Sequence, residues 1–501
     1  VRRQGRIENK AMESAEKKAA LVAVDLGAQS CRVSLLQWNG GQSRIHIIHR
    51  FPNSPIPTQA GLRWNIGRIL DGVQQGLHLC AQAAPEGIAA VGVNGWAVDY
   101  VLLSENGNAS ADPYCYRDER TQEAQKKVHQ LIDPSQLYSL TGIQLLPLNT
   151  LYQLYADKEA GVNPATPWLN LPEYVTYRLG GQRVAEYTNA THTQLVRLGT
   201  QSWCQEIFQA TGLDVAAAPT IVSTGSVVGD VGGELGVLPA FRGTKLVVPA
   251  CHDTASAIAA IPATGNDWAF ISSGTWSLVG TVLQSPCVTE DARRMNFTNL
   301  GGVGRSTSFL KNVNGMWLLQ QCMEEWEEGG MLITVEELVQ ASAALPPPDH
   351  LIDVDDPQLT LPGGMLAKIN AQLKRSGHRP FSPEPSDIPR IANIIFHSLA
   401  ARYAKVLASV AAITGKKLKR LFIVGGGSKN SLLNRLTAER TGLQVMLGSA
   451  ESSTLGNFAI QLATLRGSWN ESTGVVPSEV TRWAERLAEP LLEDTHKRDA
   501  D

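Results

Sequence analysis

The sequence predicts a layered α/β protein built from two domains of similar plan, on three observations. Strand-type and helix-type segments alternate along the 501 residues, the order expected of sheets covered by helices. A strand, glycine turn and strand near the start, "LVAVDLGAQSCRVSLLQW" (21–38), returns as "WAFISSGTWSLVGTVL" (268–283), with Gly27 and Ser30 corresponding to Gly274 and Ser277. The length suffices for two domains, and the repeat puts their division around 255–262.

The elements follow in order. The first copy is an apolar, buried-type strand that turns at Gly27 into an alternating strand, a hairpin. "WNIGRILDGVQQGLHLCAQA" (64–83) carries Ile66, Ile69, Leu70, Val73 and Leu77 at helical spacing, and "GIAAVGVNGWAVDYVLL" (87–103) follows as strand, loop and strand. "VVPACHDTASAIAAIPA" (247–263) sets His252, Asp253 and Thr254 before a run of small residues that reads as a tight helix. Asp is a preferred N-cap, so Asp253 is expected to cap that helix and to be held ionised by its first-turn amides. After the second hairpin, "FLKNVNGMWLLQQC" (309–322) carries Asn312 and Gln320 onto a helix. The Pro/Asp-rich stretch 345–364 reads as a surface loop, residues 388–415 as one long helix, and 419–442 as strand, glycine turn and helix.

Composition narrows the function. A net charge of −3 offers no basic footprint for nucleic acid or membrane lipid, so a small neutral or mildly charged ligand is expected. Seven cysteines form no close pair, which argues against a zinc site or disulfide framework. No apolar run is expected to reach the ~18 residues of a membrane helix, and residues 1–19 lack the apolar segment of a secretory signal. They read as a disordered extension, and the protein as cytoplasmic.

Four stretches have the residue types for chemistry. In "DLGAQS" (25–30) a glycine lets backbone amides approach a ligand, Ser30 can meet phosphate oxygens, and Asp25 can hold Mg²⁺ through water. "SSGTWS" (272–277) repeats the device, with the hydroxyls of Ser273 and Thr275 at the mouth of the turn. "VGGGSKN" (424–430) places Gly425, Gly426 and Gly427 between a strand and a helix, without P-loop or dinucleotide spacing, and suits close backbone approach to a base or ribose. In "GWAVDY" (95–100) and "YRDERT" (116–121), Trp96 offers a stacking face for a sugar, while Asp99, Arg117 and Asp118 offer charged hydrogen bonds.

Taken in order, "VDLGAQS", "GWAVDY", "YRDERT", "GIQLLPLNTLYQL", "EYTNATHTQL", "HDTASA", "SSGTWSL", "LKNVNGMWLLQ", "IVGGGSKNSLLN" and "ESSTLGN" resemble the FGGY carbohydrate kinases from about residue 20 to about 466. The resemblance implies an α/β fold of two actin-like ATPase (ribonuclease H-like) domains with a cleft between them. It divides the chain into residues 20–258 (sugar and first phosphate loop) and 259–488 (nucleotide), with a tail at 489–501. It implies ATP and Mg²⁺ as cofactors and transfer of the γ-phosphoryl group to the 1-hydroxyl of L-rhamnulose. Asp253 matches the catalytic base and His252, Thr254 and Asn312 sugar contacts; Trp96, Ala97 and Asp99 complete the sugar set. Ala28, Gln29, Ser30, Cys31 and Arg32 match the first phosphate loop and Thr275 the second. Gln320 matches a nucleotide contact, Gly425 to Gly427 the adenosine site, and Asp25 an acid near the metal.

Two departures stand out, the first bearing on substrate choice and the second on backbone freedom in the phosphate loop. The family usually reads Asp-Thr-Trp-Gly where this chain has Asn94, Gly95, Trp96 and Ala97, and Cys31 replaces a common glycine. A kinase for another ketose such as L-fuculose is therefore the alternative, and a non-catalytic sugar or nucleotide sensor the alternative of another class. The expected partner is a small ketose, with neither nucleic acid nor membrane; the sequence leaves the oligomeric state open, a monomer being the default.

Overall fold

The computed structural model describes residues 20–39 and 42–498; the expectation for residues 1–19 lies outside them. The first sheet is formed by β1 (Ala20–Leu26), β2 (Ser30–Asn39), β3 (Gln42–Pro52), β4 (Ile88–Gly95), β5 (Val227–Asp230) and β6 (Lys245–Val247), in the order β5-β6-β4-β1-β2-β3. The second comprises β7 (Trp268–Ser273), β8 (Trp276–Leu283), β9 (Thr298–Gly301), β10 (Thr307–Asn314), β11 (Arg420–Val424) and β12 (Gln444–Leu447), ordered β9-β10-β8-β7-β11-β12. In each, the leading strand pairs antiparallel with the next and parallel with a later one, β1 with β2 and β4, β7 with β8 and β11. The repeat seen in the sequence is thus a repeated sheet topology, and the fold is the two-domain α/β architecture expected.

The helices that bear on the site are α1 (Ile66–Ala83), α2 (Tyr187–His192), α3 (Asp253–Ala259), α4 (Trp317–Glu328), α5 (Ile388–Thr414), α6 (Ser431–Thr441), α7 (Ser452–Leu465) and α8 (Pro477–Arg498), of which α2, α3 and α7 reach the cleft. Every residue of β1 is buried, because strand alternation serves two cores. Val22, Val24 and Leu26 face a cluster that includes Ile69, Val73 and Leu77 of α1. Leu21 and Ala23 face Leu455, Phe458 and Ala459 of α7, with Trp483 of α8 beyond. The last helices of the chain therefore pack on the first sheet. Asp25 shares the face of Leu21 and Ala23 and so points toward the start of α7.

One expectation is corrected here. Helix α5 is long and apolar enough to cross a membrane by length and composition, yet 61% of its most apolar window is buried inside the protein. It is the core helix of the second domain, packed through Ile391, Ile394, Ile395 and Leu399, and its two-sided burial explains its composition. The seven cysteines are free and six are buried.

Candidate active site

A cleft of about 660 Å³ runs between the two halves, lined by the two hairpin turns, the start of α3, the glycine turn after β11 and the start of α7. Strand register builds its floor. Asp25 lies opposite Arg32 on β2 and Asn94 on β4; Arg32 Nε is 3.1 Å from Asp25 Oδ2, and Asn94 Nδ2 donates to Oδ1 at 2.9 Å. Ser453, at the start of α7, donates to Oδ2 at 2.5 Å. Arg32 also pairs with Glu451, whose other oxygen is 3.2 Å from Arg50.

The first turn is pinned by Asn53, whose Nδ2 donates to the Gly27 carbonyl at 3.0 Å. Its backbone is tight enough that a β-carbon on Gly27 would meet the Ser30 carbonyl oxygen at 2.4 Å. Ala28, Gln29, Ser30 and Arg32 line the cleft. Ser30 Oγ is buried without a hydrogen-bond partner, a donor and acceptor suited to a ligand oxygen. The second turn is tied to the corner before α4, where Gly315 and Trp317 donate to the Thr275 carbonyl, each at 3.2 Å. Thr275 faces the cleft.

Asp253 lies between these turns. It does not cap α3 as the sequence suggests: His252 is the N-cap residue, and Asp253 is already inside the first turn. From there its carboxylate projects into the enclosed cleft. It accepts from Thr254 Oγ1 at 3.2 Å. Burial, followed by the charge of Asp25, pushes its pKa up to about 7, so the first-turn amides do not hold it ionised as expected. The loop before it is anchored from below by the Cys251 amide, which donates to the fully buried Glu186 at 2.9 Å.

The arrangement suits phosphoryl transfer: a carboxylate that can take a proton near neutrality, between two backbone turns and an arginine. The donor set also fits a phosphate-borne cation. Among the described residues no cluster of three or more His, Cys, Asp or Glu is suited to a metal ion. Mg²⁺, however, is commonly bound by one or two carboxylates with waters and phosphate oxygens, and Asp25 supplies such a carboxylate.

The two halves of the FGGY family of carbohydrate kinases both match: its N-terminal domain over residues 20–260 and its C-terminal domain over 269–465. The chain belongs to the FGGY family of carbohydrate kinases. Among curated relatives, a rhamnulokinase of Klebsiella pneumoniae (strain 342) is 38% identical over 450 residues, 89% of each chain. A rhamnulokinase of Bacteroides thetaiotaomicron is 35% identical over 451 residues, 89% of this chain and 91% of its own. In fold, a ligand-bound xylulose kinase from Lactobacillus acidophilus superposes with a TM-score of 0.72 at 17% identity, covering 96% of this chain and 98% of its own. A Plasmodium falciparum glycerol kinase with ADP gives 0.71 at 11%, covering 94% and 93%.

Measured against this FGGY cleft, most predicted residues converge: Asp25, Trp96, Ala97, His252, Thr254, Asn312, Gly425 and Gly426 all line it. Asn312 is held by Gln144 Oε1, 3.0 Å from its Nδ2. Gly426 leaves open space where a side chain would stand, whereas Gly425, at φ +83°, passes close under the Ser273 carbonyl. Four expected site residues are corrected. Cys31 points away from the cleft into the core and its thiol bonds the Gly27 carbonyl; burial pushes its pKa up to about 12. Asp99 is fully buried, accepting from Trp64 Nε1 at 2.6 Å, Trp96 Nε1 at 2.9 Å and Gln153 Nε2 at 3.1 Å, so it positions the Trp96 indole and does not line the cleft. Gly427 packs on Ser273, where a β-carbon would sit 2.0 Å from Oγ; Ser273 thereby supports the glycine turn. Gln320 bonds Glu324 on its own helix at 3.1 Å and does not reach the cleft.

Arg117 and Asp118 also serve structure. Arg117 stacks 3.7 Å over Trp317 and donates to the Thr360 carbonyl, joining the two halves, while Asp118 accepts from the Leu62 amide at 2.7 Å. Sequence reasoning missed Glu451, Arg50, Lys429 and His192, which line the cleft. Glu451 lies in "ESSTLGN" and His192 in "EYTNATHTQL", stretches that carried the resemblance while nothing in their spacing pointed to a role.

Proposed function

We propose that the protein transfers the γ-phosphoryl group of ATP to the 1-hydroxyl of L-rhamnulose, giving L-rhamnulose 1-phosphate and ADP. The observation that carries this reading is the position of Asp253 between the two apposed hairpin turns, in a chain over a third identical to curated rhamnulokinases along nearly nine-tenths of its length. Asp253 takes the proton of the 1-hydroxyl as its oxygen bonds the γ-phosphorus and the bond to the ADP oxygen breaks. Backbone amides of Ala28 to Ser30 and Thr275, with Arg32, face the charge that develops on the phosphoryl oxygens. Asp25 would hold Mg²⁺ through water, and the ion, when bound, neutralises phosphate charge. Gly426 leaves room for the nucleoside and Gly425 shapes the turn beside it, while Trp96, Ala97, His252, Thr254 and Asn312 enclose the sugar.

The division of labour between residues 20–258 and 259–488, a monomeric state and a cytoplasmic location belong to the same proposal. A coupled ADP-release assay over a ketose panel tests it. L-rhamnulose is expected to give the highest kcat/KM; turnover of another ketose, such as L-fuculose, above L-rhamnulose would overturn the assignment of substrate.

A further inference from the structure

His192 has no assigned role, yet it lines the cleft, is 7% exposed, and has a buried Nδ1 without a hydrogen-bond partner. Its ring stands edge-on to that of His252, centroids 4.7 Å apart at 80°, and His252 Nε2 is 3.6 Å from Asp253 Oδ1. The order outward from the Asp253 carboxylate is therefore Asp253, His252, His192.

One buried carboxylate fixes that spacing. Glu186 caps α2, the helix that ends at His192, accepting from Thr188 N at 3.0 Å, and the same oxygen accepts from Cys251 N at 2.9 Å, one residue before His252. The helix bearing His192 and the loop leading into Asp253 thus hang from a single group, buried at 0% exposure. A side chain seated so firmly with an unspent polar atom suits recognition better than packing. Burial also keeps both rings neutral at physiological pH, and a neutral imidazole offers one N–H donor and one lone pair. That pair matches a sugar hydroxyl, which donates and accepts.

We infer that His192 is a specificity-determining residue that reads the mid-chain hydroxyls of the ketose, those two to three carbons beyond the phosphorylated 1-hydroxyl. The inference rests on the ketose-kinase reading above. It fits the chain's departure at Asn94 to Ala97, because selectivity is then supplied from the α2 side of the pocket.

L-Rhamnulose and L-fuculose differ in configuration only at carbon 4 and so form the probe pair. For His192→Ala and His192→Asn, the ratio of kcat/KM between the two ketoses is expected to shift about tenfold or more, with KM for ATP within about twofold of the parent. Loss of the same factor on both ketoses would reduce His192 to a structural role and overturn the inference, as would an unchanged ratio. A circular-dichroism melt on both variants excludes misfolding. Failure of the unsubstituted protein to turn over either ketose would strike the functional proposal instead.

Discussion

Ser453 donates a 2.5 Å hydrogen bond to Asp25 across 428 residues of chain, joining the last large helix of the cleft to the first strand. Two residues earlier Glu451 bridges Arg32 and Arg50. The start of α7 thus sets the orientation of the groups beside the first hairpin turn.

Ser453→Ala and Glu451→Gln should lower kcat about tenfold by loosening Asp25 and Arg32. KM for the ketose should stay within about twofold, since neither residue touches the sugar wall. Steady-state kinetics with each substrate varied would check this; a rise in ketose KM with kcat intact would place α7 in sugar binding.

With the Asp253 carboxyl at about pH 7, kcat/KM should rise about tenfold per pH unit below 7 and level off above it. Asp253→Asn should cost at least about a thousandfold in kcat while retaining ATP and sugar binding by calorimetry. The stability effect has the opposite sense. The folded pKa exceeds the ordinary 3.8, so the native state holds more protons between those values, and the contribution of this group falls as pH rises from about 4 to about 7. Asp253→Asn should therefore raise the melting temperature at pH 8 and change it little at pH 4.

A β-carbon on Gly456 would lie 1.8 Å from the Ser256 carbonyl oxygen, because α3 and α7 cross there backbone to backbone. Gly456→Ala must separate the helices, at a cost of about 2–4 kcal/mol. As α3 carries Asp253, kcat should drop with stability. Thermal denaturation and turnover measured on one sample would test it; a full-rate, parent-like protein would show that the crossing yields easily.

Asp99→Ala should destabilise by about 2–4 kcal/mol, since it strands the indole N–H groups of Trp64 and Trp96. Asp99→Asn keeps an acceptor for the indoles but turns an N–H toward Gln153 Nε2, so it should cost less than Asp99→Ala, about 1–2 kcal/mol. Urea unfolding of both variants checks the contrast; equal losses would mean that the charge, not the acceptor, holds the indoles.

The hairpins at Gly27 and Gly274, helix α1, the long helix α5 and the strand–glycine–helix unit at 420–441 are legible from periodicity and turn chemistry alone, because their signals are local. The same signals placed Asp253 at a helix start. They could not show that Asp99 points inward: adjacent to Trp96 in the loop, it reads as a second sugar ligand until two indoles are seen to share its oxygen. Cys31 and Gly427 fail likewise, since in a strand or tight turn alternate residues face opposite sides, and which side is the cleft depends on the partner layer.

What the sequence by itself determined is the repeated α/β plan, the two glycine turns and the carboxylate at 253, all set by short-range rules of backbone and burial. Only the tertiary structure decided which groups meet. It gave Asp25 its partners on β2, β4 and α7, raised the pKa of Asp253 through burial and a neighbouring charge, and hung His192 and the Asp253 loop on Glu186. Those relations join residues tens to hundreds of positions apart, and no local pattern encodes them, because they arise from the packing of one layer against another.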